Sequence, residues 1–270
     1  MRNSGSEFLS TAFRAALLAG NLIVDNLGRI SNDDIDTKDI SDFVTRVDRE
    51  SEALILRTIR RKFPDHHFLA EESAREGSEG YYRWIIDPLD GTTNFIHRYP
   101  VFSVSIALEY SGEIILGVVY DPLRHEMFTA EKGTGAHLNG RPISVSRAAD
   151  LKTCLITTGF PFRKKELIDP YLKLFKNIFF KVSDIRRAGS AALDLAHLAS
   201  GRCDCFFEIG LSPWDIAAGA ILIREAGGIV TDFGGGSSYL DTGNIVCATP
   251  AIHGEILRDV QNVFSGLIDQ

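Results

Sequence analysis

Residues 84–95 read WIIDPLDGTTNF and join a strand-forming segment to a turn rich in ligand atoms. The apolar start predicts a short buried strand, which ends in the carboxylates Asp87 and Asp90. Hard divalent cations prefer several oxygen ligands, and carboxylates are among the best. Gly91 allows a close backbone approach, and a helix that begins at Thr92 would direct its N–H groups at a phosphate. A plain hairpin turn is the competing interpretation, but the full string disfavours it.

Further acidic residues are candidates for the same site, although each has a structural alternative. Glu71 and Glu72 follow an apolar run, where an isolated pair is commonly a solvated surface feature. Asp48 lies three residues after Thr45, a spacing typical of a capping box. Asp215 follows a Ser-Pro-Trp sequence with the same spacing. A capping carboxylate can also reach a metal ion, so both interpretations stay open.

The order of predicted elements divides the chain into two halves. Apolar residues at helical spacing predict helices over 7–27 and 45–63. Short apolar runs bounded by turn residues then predict an antiparallel meander, so residues 1–150 form an α+β half. Strands and helices alternate over residues 151–270, which predicts an α/β half with helices covering a sheet. We expect the two halves to share one compact catalytic unit.

Composition and charge narrow the range of functions. The formal net charge of -7 argues against a general nucleic-acid binder, because phosphate backbones recruit basic surfaces. An acidic protein that binds an anionic substrate needs local compensation, and bound metal ions can supply it. The four cysteines are too few for a disulfide scaffold. With neither a charged leader nor a membrane-length apolar stretch in view, we expect a cytoplasmic protein that binds no membrane and contacts no nucleic acid directly.

Several of these segments together resemble the motifs of a known family. The sequences EES at 71–73, DPLDGT at 87–92 and WDIAAG at 214–219 are similar, in order and spacing, to the defining motifs of inositol monophosphatases. RRAGSAALDL at 186–195 and GNIV at 243–246 look like the bacterial SuhB-type members in particular. The resemblance covers nearly the whole chain and implies a layered αβαβα sandwich of the sugar-phosphatase type.

The resemblance also implies a set of metal ligands for two to three Mg²⁺ ions. Glu71, Asp87 and the backbone carbonyl of Leu89 would bind the first ion. Asp87, Asp90 and Asp215 would bind the second. A weaker third ion would lie near Glu71, partly through water.

Catalytic and substrate-binding roles follow from the same resemblance. Asp48 and Thr92 would orient and deprotonate the attacking water, with Glu71 as a further catalytic residue. The backbone N–H groups of Gly91 and Thr92 would hold phosphate oxygens, and other residues would line the alcohol side. The residues implied around the substrate are Asp90, Gly91, Thr92, Gly189, Ser190, Ala191, Glu208 and Asp215.

The function that the family implies is Mg²⁺-dependent hydrolysis of a small phosphate monoester, with myo-inositol 1-phosphate as the expected substrate. Direct attack by water, no phosphoenzyme, inhibition by Li⁺ and a homodimer are implied with it. Glu208 suits a polyol, since a carboxylate accepts hydrogen bonds from hydroxyl groups. The alternatives are another sugar phosphate such as fructose 1,6-bisphosphate, and an accessory binding role in RNA synthesis with a partner in the transcription machinery. A non-catalytic α/β protein with capped helices is the third.

Overall fold

The computed structural model describes residues 6–39, 42–76 and 80–268. The helices of these residues are α1 Glu7–Asn26, α2 Arg46–Arg60, α3 Thr92–Ile96, α4 Ile168–Phe179, α5 Ala191–Ala199, α6 Pro213–Glu225, α7 Tyr239–Thr242 and α8 Pro250–Phe264. The strands are β1 Ile35–Asp39, β2 Asp42–Thr45, β3 His67–Ala70, β4 Ala74–Glu76, β5 Tyr82–Asp90, β6 Ser103–Tyr110, β7 Glu113–Asp121, β8 Glu126–Glu131, β9 Gly135–Leu138, β10 Arg141–Ile143, β11 Leu155–Thr158, β12 Asp184–Arg186, β13 Cys205–Glu208, β14 Ile229–Thr231 and β15 Ile245–Ala248.

The larger sheet contains the predicted antiparallel meander. Its strand order is β10-β9-β8-β7-β6-β5-β3-β4, and β5 to β10 pair antiparallel in succession. Strand β3 lies parallel to β5. The β9–β10 hairpin turns at Asn139 and Gly140, whose φ angles are +50° and +76°. Positive φ at both positions is the property that makes Asn-Gly a hairpin signal. Strands β1 and β2 form a separate antiparallel pair.

The smaller sheet belongs to the C-terminal half and has the order β12-β11-β13-β15-β14. Strand β11 is parallel to β12 and β13, whereas β15 is antiparallel to β13 and β14. The predicted alternation of strand and helix is therefore present, with a sheet of mixed direction. The cysteines Cys154, Cys203, Cys205 and Cys247 are buried and free.

Helices α1 and α2 cover one face of the larger sheet. Ala12, Ile23 and Ile55 are fully buried in one apolar cluster with Trp84 and Val104 of the sheet. Helix α2 begins with the predicted capping box, in which Thr45 is the N-cap and its backbone N–H donates to Asp48 Oδ2 at 2.9 Å. These two helices form the first layer.

Helices α5 and α6 form a middle layer between the two sheets. Leu195 and Leu222 are fully buried in a cluster that contains Val119 of the larger sheet and Phe206 of the smaller one. The outer face of the smaller sheet is covered by α4 and α8, through a third cluster that includes Tyr171, Phe207 and Ile256. The layers alternate α, β, α, β, α, so the expected αβαβα sandwich is confirmed.

Helix α1 qualifies the prediction that the chain has no membrane-length apolar stretch. Among the described residues, it is the helix long and apolar enough to cross a membrane by length and composition. A core helix of a soluble protein passes the same test. Ala16 and Ala19 of α1 are fully buried, and the helix packs against β6 and β7. Its apolar character is thus used in the core of the fold.

Candidate active site

A cluster of buried carboxylates lies where β5 ends and α6 begins. Asp87, Asp90 and Asp215 are 2%, 8% and 6% exposed. Each contributes an oxygen atom to a group in which all distances are within 4.8 Å. Such a group of hard oxygen donors could hold a divalent cation.

Local backbone geometry holds each of these carboxylates in place. Asp87 and Asp90 lie at the end of β5, where the pairing with β6 shifts register between them. Oδ1 of Asp87 accepts a hydrogen bond from the backbone N–H of Leu89 at 3.0 Å. Oδ2 of Asp215 accepts from the backbone N–H of Ser212 at 2.7 Å, so its helix-capping role and its position in the cluster coexist.

The electrostatics of the cluster favour a bound cation. Burial raises the pKa of Asp87 well above its usual value, and the charges of Glu71, Asp90 and Asp215 raise it further. Burial and then the charge of Asp215 raise the pKa of Asp90 to about 6. Like charges buried together are unfavourable unless a counter-charge is present. The donor set therefore fits a hard divalent ion, as the sequence predicted.

Asp48 and Thr92 form a hydrogen-bonded pair beside the cluster. Asp48 is fully buried, and its Oδ1 lies 2.8 Å from the hydroxyl oxygen of Thr92. That hydroxyl also lies 3.1 Å from the carbonyl oxygen of Leu89. Burial raises the pKa of Asp48, while hydrogen bonds from Thr45 and Thr92 oppose the rise. A carboxylate of raised pKa in contact with a hydroxyl group is suited to accept a proton through it.

Gly91 shapes the turn between the strand and α3. Its φ is +93°, and a Cβ atom there would lie 3.0 Å from the carbonyl oxygen of Val101 and 3.2 Å from that of Gly189. Both the backbone angle and the space thus require glycine. The N-terminus of α3 opens onto a cavity of about 480 Å³ whose lining includes Glu71, Asp87, Leu89, Asp90, Gly91, Thr92, Arg163, Arg187 and Asp215.

A second cavity of about 410 Å³ continues from the first and shares Asp90 and Asp215 with it. Ser190 caps α5 and donates a hydrogen bond to Oδ2 of Asp90, whose same oxygen accepts from the backbone N–H of Ala192 at 2.9 Å. Burial raises the pKa of Glu208, which lines this cavity, to about 8, and the charge of Arg187 opposes the rise. The predicted alcohol-side residues Gly189, Ser190, Ala191 and Glu208 all line the second cavity.

The structure brings together every site residue that the sequence predicted and adds others. Arg163 donates to Oδ2 of Asp215 at 2.9 Å, although no local pattern marks it in the sequence. The guanidinium of Arg187 stands 5.3 Å from the ring centroid of Phe162, and both line the two cavities. Asp194 lines the second cavity. Arg187 and Asp194 belong to the segment 186–195, whose resemblance implied no role for them.

The chain is similar to known proteins over nearly all of its length. The model of the inositol monophosphatase family matches residues 5–265. The protein of Escherichia coli strain K12 named Nus factor SuhB is 49% identical over 258 residues, which cover 95% of this chain and 97% of that protein. The crystal structure of the extragenic suppressor protein suhB from Bartonella henselae has a TM-score of 0.92 at 42% identity, covering 95% and 99% of the two chains. The inositol monophosphatase from Anabaena (Nostoc) sp. PCC 7120 has a TM-score of 0.86 at 43% identity, covering 95% and 96%.

Proposed function

This chain belongs to the inositol monophosphatase family, and from that premise we propose that it is a Mg²⁺-dependent phosphatase acting on myo-inositol 1-phosphate. Family membership supports phosphatase activity in general terms. The observation that carries the proposal is the buried group of Asp87, Asp90 and Asp215 at the junction of two connected cavities. The cavity at the start of α3 fits a phosphate, and the second cavity, which Glu208 lines, fits the alcohol to which that phosphate is esterified.

The metal ions would be held by oxygen ligands from three segments of the chain. The carboxylates of Glu71, Asp87, Asp90 and Asp215 and the carbonyl of Leu89 are the proposed ligands, and all of them line one cavity. When bound, Mg²⁺ would supply Lewis-acid chemistry, which activates water and neutralises the charge that develops on the phosphate and the leaving alcohol.

The protein's own groups would position the water and accept its proton. A water molecule beside Thr92 donates to the threonine hydroxyl, which in turn donates to Asp48 Oδ1 at 2.8 Å. Because Asp48 is fully buried, the proton reaches it through the Thr92 hydroxyl. The raised pKa of Asp48 makes it a better acceptor than an ordinary carboxylate. Direct attack by this water would leave no phosphoenzyme.

The phosphate and the alcohol would be held at separate points of the cleft. The backbone N–H groups of Gly91 and Thr92, at the start of α3, are the proposed donors to the phosphate oxygens. Glu208 is the proposed acceptor for a substrate hydroxyl, with Ser190 and the adjacent backbone completing the alcohol side. A pocket that contains buried acceptors favours a polyol over an alcohol without hydroxyl groups, because unpaired acceptors are costly.

A substrate panel with controlled metal content tests this proposal. Purified protein is assayed with myo-inositol 1-phosphate, fructose 1,6-bisphosphate and 3′-phosphoadenosine 5′-phosphate, with Mg²⁺ and with excess chelator. We expect the highest kcat/KM for inositol 1-phosphate, no turnover in chelator and inhibition by Li⁺. Preference for another substrate would overturn the substrate assignment, and full activity in chelator would overturn the mechanism.

Substitution of a ligand separates the metal site from the fold. Asp90→Asn should abolish hydrolysis, whereas Asp232→Asn serves as a matched control. Asp232 is 3% exposed and accepts from the backbone N–H groups of Gly236 and Ser238 at 2.7 and 2.9 Å. The control should lower the melting temperature without altering Mg²⁺ dependence.

A second candidate function is favoured by one specific observation, the name Nus factor carried by the Escherichia coli relative. It is an accessory binding role in RNA synthesis, with a partner in the transcription machinery. Cells that lack the gene would be rescued by an Asp87→Asn variant if this role dominates, and would not be if hydrolysis does. Because the chain belongs to this family, we also propose that it forms a homodimer and that it is located in the cytoplasm. Light scattering tests the first proposal, and cell fractionation tests the second.

A further inference from the structure

Asp194 is a buried carboxylate that the proposed mechanism does not use. It lies in the first turn of α5, is 2% exposed and lines the second cavity together with Glu208. Its carboxylate accepts no hydrogen bond from any residue that the structure describes. An acceptor in such a place has a free-energy cost unless a donor arrives from outside the chain.

The helix itself does not explain the position of Asp194. Ser190 is the N-cap of α5, and its hydroxyl accepts from the backbone N–H of Leu193 at 3.4 Å. By contrast, buried aspartates with structural roles in this protein accept hydrogen bonds from neighbouring residues. Asp204, for instance, accepts from the backbone N–H of Leu155 at 2.8 Å and from the Ser146 hydroxyl.

The surroundings of Asp194 indicate what kind of donor would fit. Burial raises its pKa well above the usual value, and the charges of Glu208 and Asp90 add to the rise, while Arg187 opposes it. The cavity of about 410 Å³ has room for a ring that carries several hydroxyl groups. Two carboxylates that line one cavity can accept from two different hydroxyl groups of the same molecule.

We propose that Asp194 is a specificity-determining residue whose carboxylate accepts a hydrogen bond from one hydroxyl of the substrate alcohol, distinct from the hydroxyl bound by Glu208. The inference rests on the proposed phosphatase function and deepens it. It predicts a preference for polyhydroxylated alcohols, because an alcohol without the matching hydroxyl leaves a buried acceptor unpaired.

The test compares substrates with and without hydroxyl groups. For wild type, Asp194→Ala and Asp194→Asn, kcat/KM is measured with myo-inositol 1-phosphate and with p-nitrophenyl phosphate. We expect the ratio of the two values to fall roughly 10- to 100-fold in Asp194→Ala, the range that corresponds to leaving one hydrogen-bonding group unpaired at a buried site. The Asp232→Asn control should leave the ratio unchanged. Asp194→Asn keeps the shape of the side chain and serves if the alanine variant does not fold.

Single-deoxy analogues of inositol 1-phosphate identify the hydrogen bond itself. Removal of one particular hydroxyl should lower kcat/KM in wild type but have no further effect in Asp194→Ala, whereas a different hydroxyl should show this behaviour in Glu208→Ala. The melting temperature of Asp194→Ala should fall no further than that of the Asp232→Asn control, since the truncation removes no hydrogen bond among the described residues.

An unchanged substrate ratio, or equal sensitivity of wild type and Asp194→Ala to every analogue, would overturn the inference. A lower melting temperature with an unchanged ratio would instead assign Asp194 a structural role. If wild type hydrolyses p-nitrophenyl phosphate with Mg²⁺ and these tests fail, the proposed phosphatase function stands without this residue. If wild type hydrolyses neither substrate, the proposed function itself falls and the inference falls with it.

Discussion

At the scale of a single residue, the hydroxyl group of Thr92 connects the candidate active site to Asp48, the proposed base. That hydroxyl lies 2.8 Å from Asp48 Oδ1, and Asp48 has no exposed surface of its own. Thr92→Val keeps the shape of the side chain but removes the proton path, so we expect kcat to fall by roughly 10²- to 10⁴-fold. Thr92→Ser should keep most of the activity. Steady-state kinetics at saturating substrate measure both, with Mg²⁺ binding checked by calorimetry.

The outcome that contradicts this role is a valine variant with wild-type kcat. A loss of Mg²⁺ binding in the same variant would assign Thr92 to metal-site geometry, since its hydroxyl also lies 3.1 Å from the carbonyl oxygen of Leu89.

His197 predicts a pH dependence of stability that is separate from catalysis. Its Nε2 is buried without a hydrogen-bond partner in the described part of the chain. Burial lowers its pKa from 6.5 to about 4, and the charge of Arg202 contributes. The unfolded chain therefore binds a proton between these pH values while the native state does not. The contribution of neutral His197 to the free energy of unfolding is fully present above about pH 6.5. It is lost as the pH falls towards about 4, by about 3 kcal/mol at most.

A His197→Leu variant isolates this effect. Urea unfolding between pH 7 and pH 4.5 should show a shallower loss of stability in the variant than in wild type. Exposed His97 provides the matched control, His97→Gln. Identical slopes for wild type and His197→Leu would show that other groups carry the acid sensitivity.

Individual site residues were predictable where the sequence carries a motif and were missed where it does not. Asp87 and Asp90 lie at the end of strand β5, and Asp215 occupies a capping position, so each has a local reason to be found. Arg163 joins the site through the packing of separate elements, whereas Asp194 lies in the motif at 186–195 but was given no role there. No local spacing encodes such a contact, because it depends on how the layers stack.

At the scale of elements, the contact between α5 and α6 requires a small residue at one point. A Cβ at Gly219 would lie 2.4 Å from the Cβ of Leu195. Gly219→Ala should therefore destabilise the fold by about 1–3 kcal/mol through overpacking. Gly254→Ala is the matched control in α8, where the nearest atom would be Arg258 Nη1 at 3.8 Å. The control should stabilise the fold by up to about 1 kcal/mol, the helix-propensity difference between the two residues.

Chemical denaturation of the two glycine variants measures both changes. Equal effects in the two variants would mean that helix propensity alone acts at Gly219 and that the two helices can separate without cost.

The elements differ in how far sequence could predict them. Helix α8 was readable because Thr249 and Pro250 mark its start, and α2 was readable from its capping box. The parallel pairing of β3 with β5 was not, since partner choice is set by the connection through space. Strand β14, with three residues, is too short to give a periodic signal.

At the scale of the whole molecule, the middle layer joins the two halves of the chain. Helices α5 and α6 follow residue 150 in sequence, yet their apolar cluster includes Ile85, Ala107 and Val119 of the larger sheet. The same cluster includes Phe206 and Ile245 of the smaller sheet. Neither sheet can bury its inner face without these helices, because the layer is common to both.

This shared layer predicts that residues 1–150 and 151–270 unfold together. The two tryptophans report on different layers, since Trp84 lies in β5 and Trp214 in α6. Trp214→Phe and Trp84→Phe leave one reporter each, and amide hydrogen exchange in α8 follows the outer layer. Coincident thermal transitions for all three probes are expected of a single cooperative unit. If α8 and the smaller sheet lost protection while Trp84 kept its native fluorescence, the halves would be separate folding units, and Asp215 would leave the carboxylate cluster while Asp87 and Asp90 stayed in place.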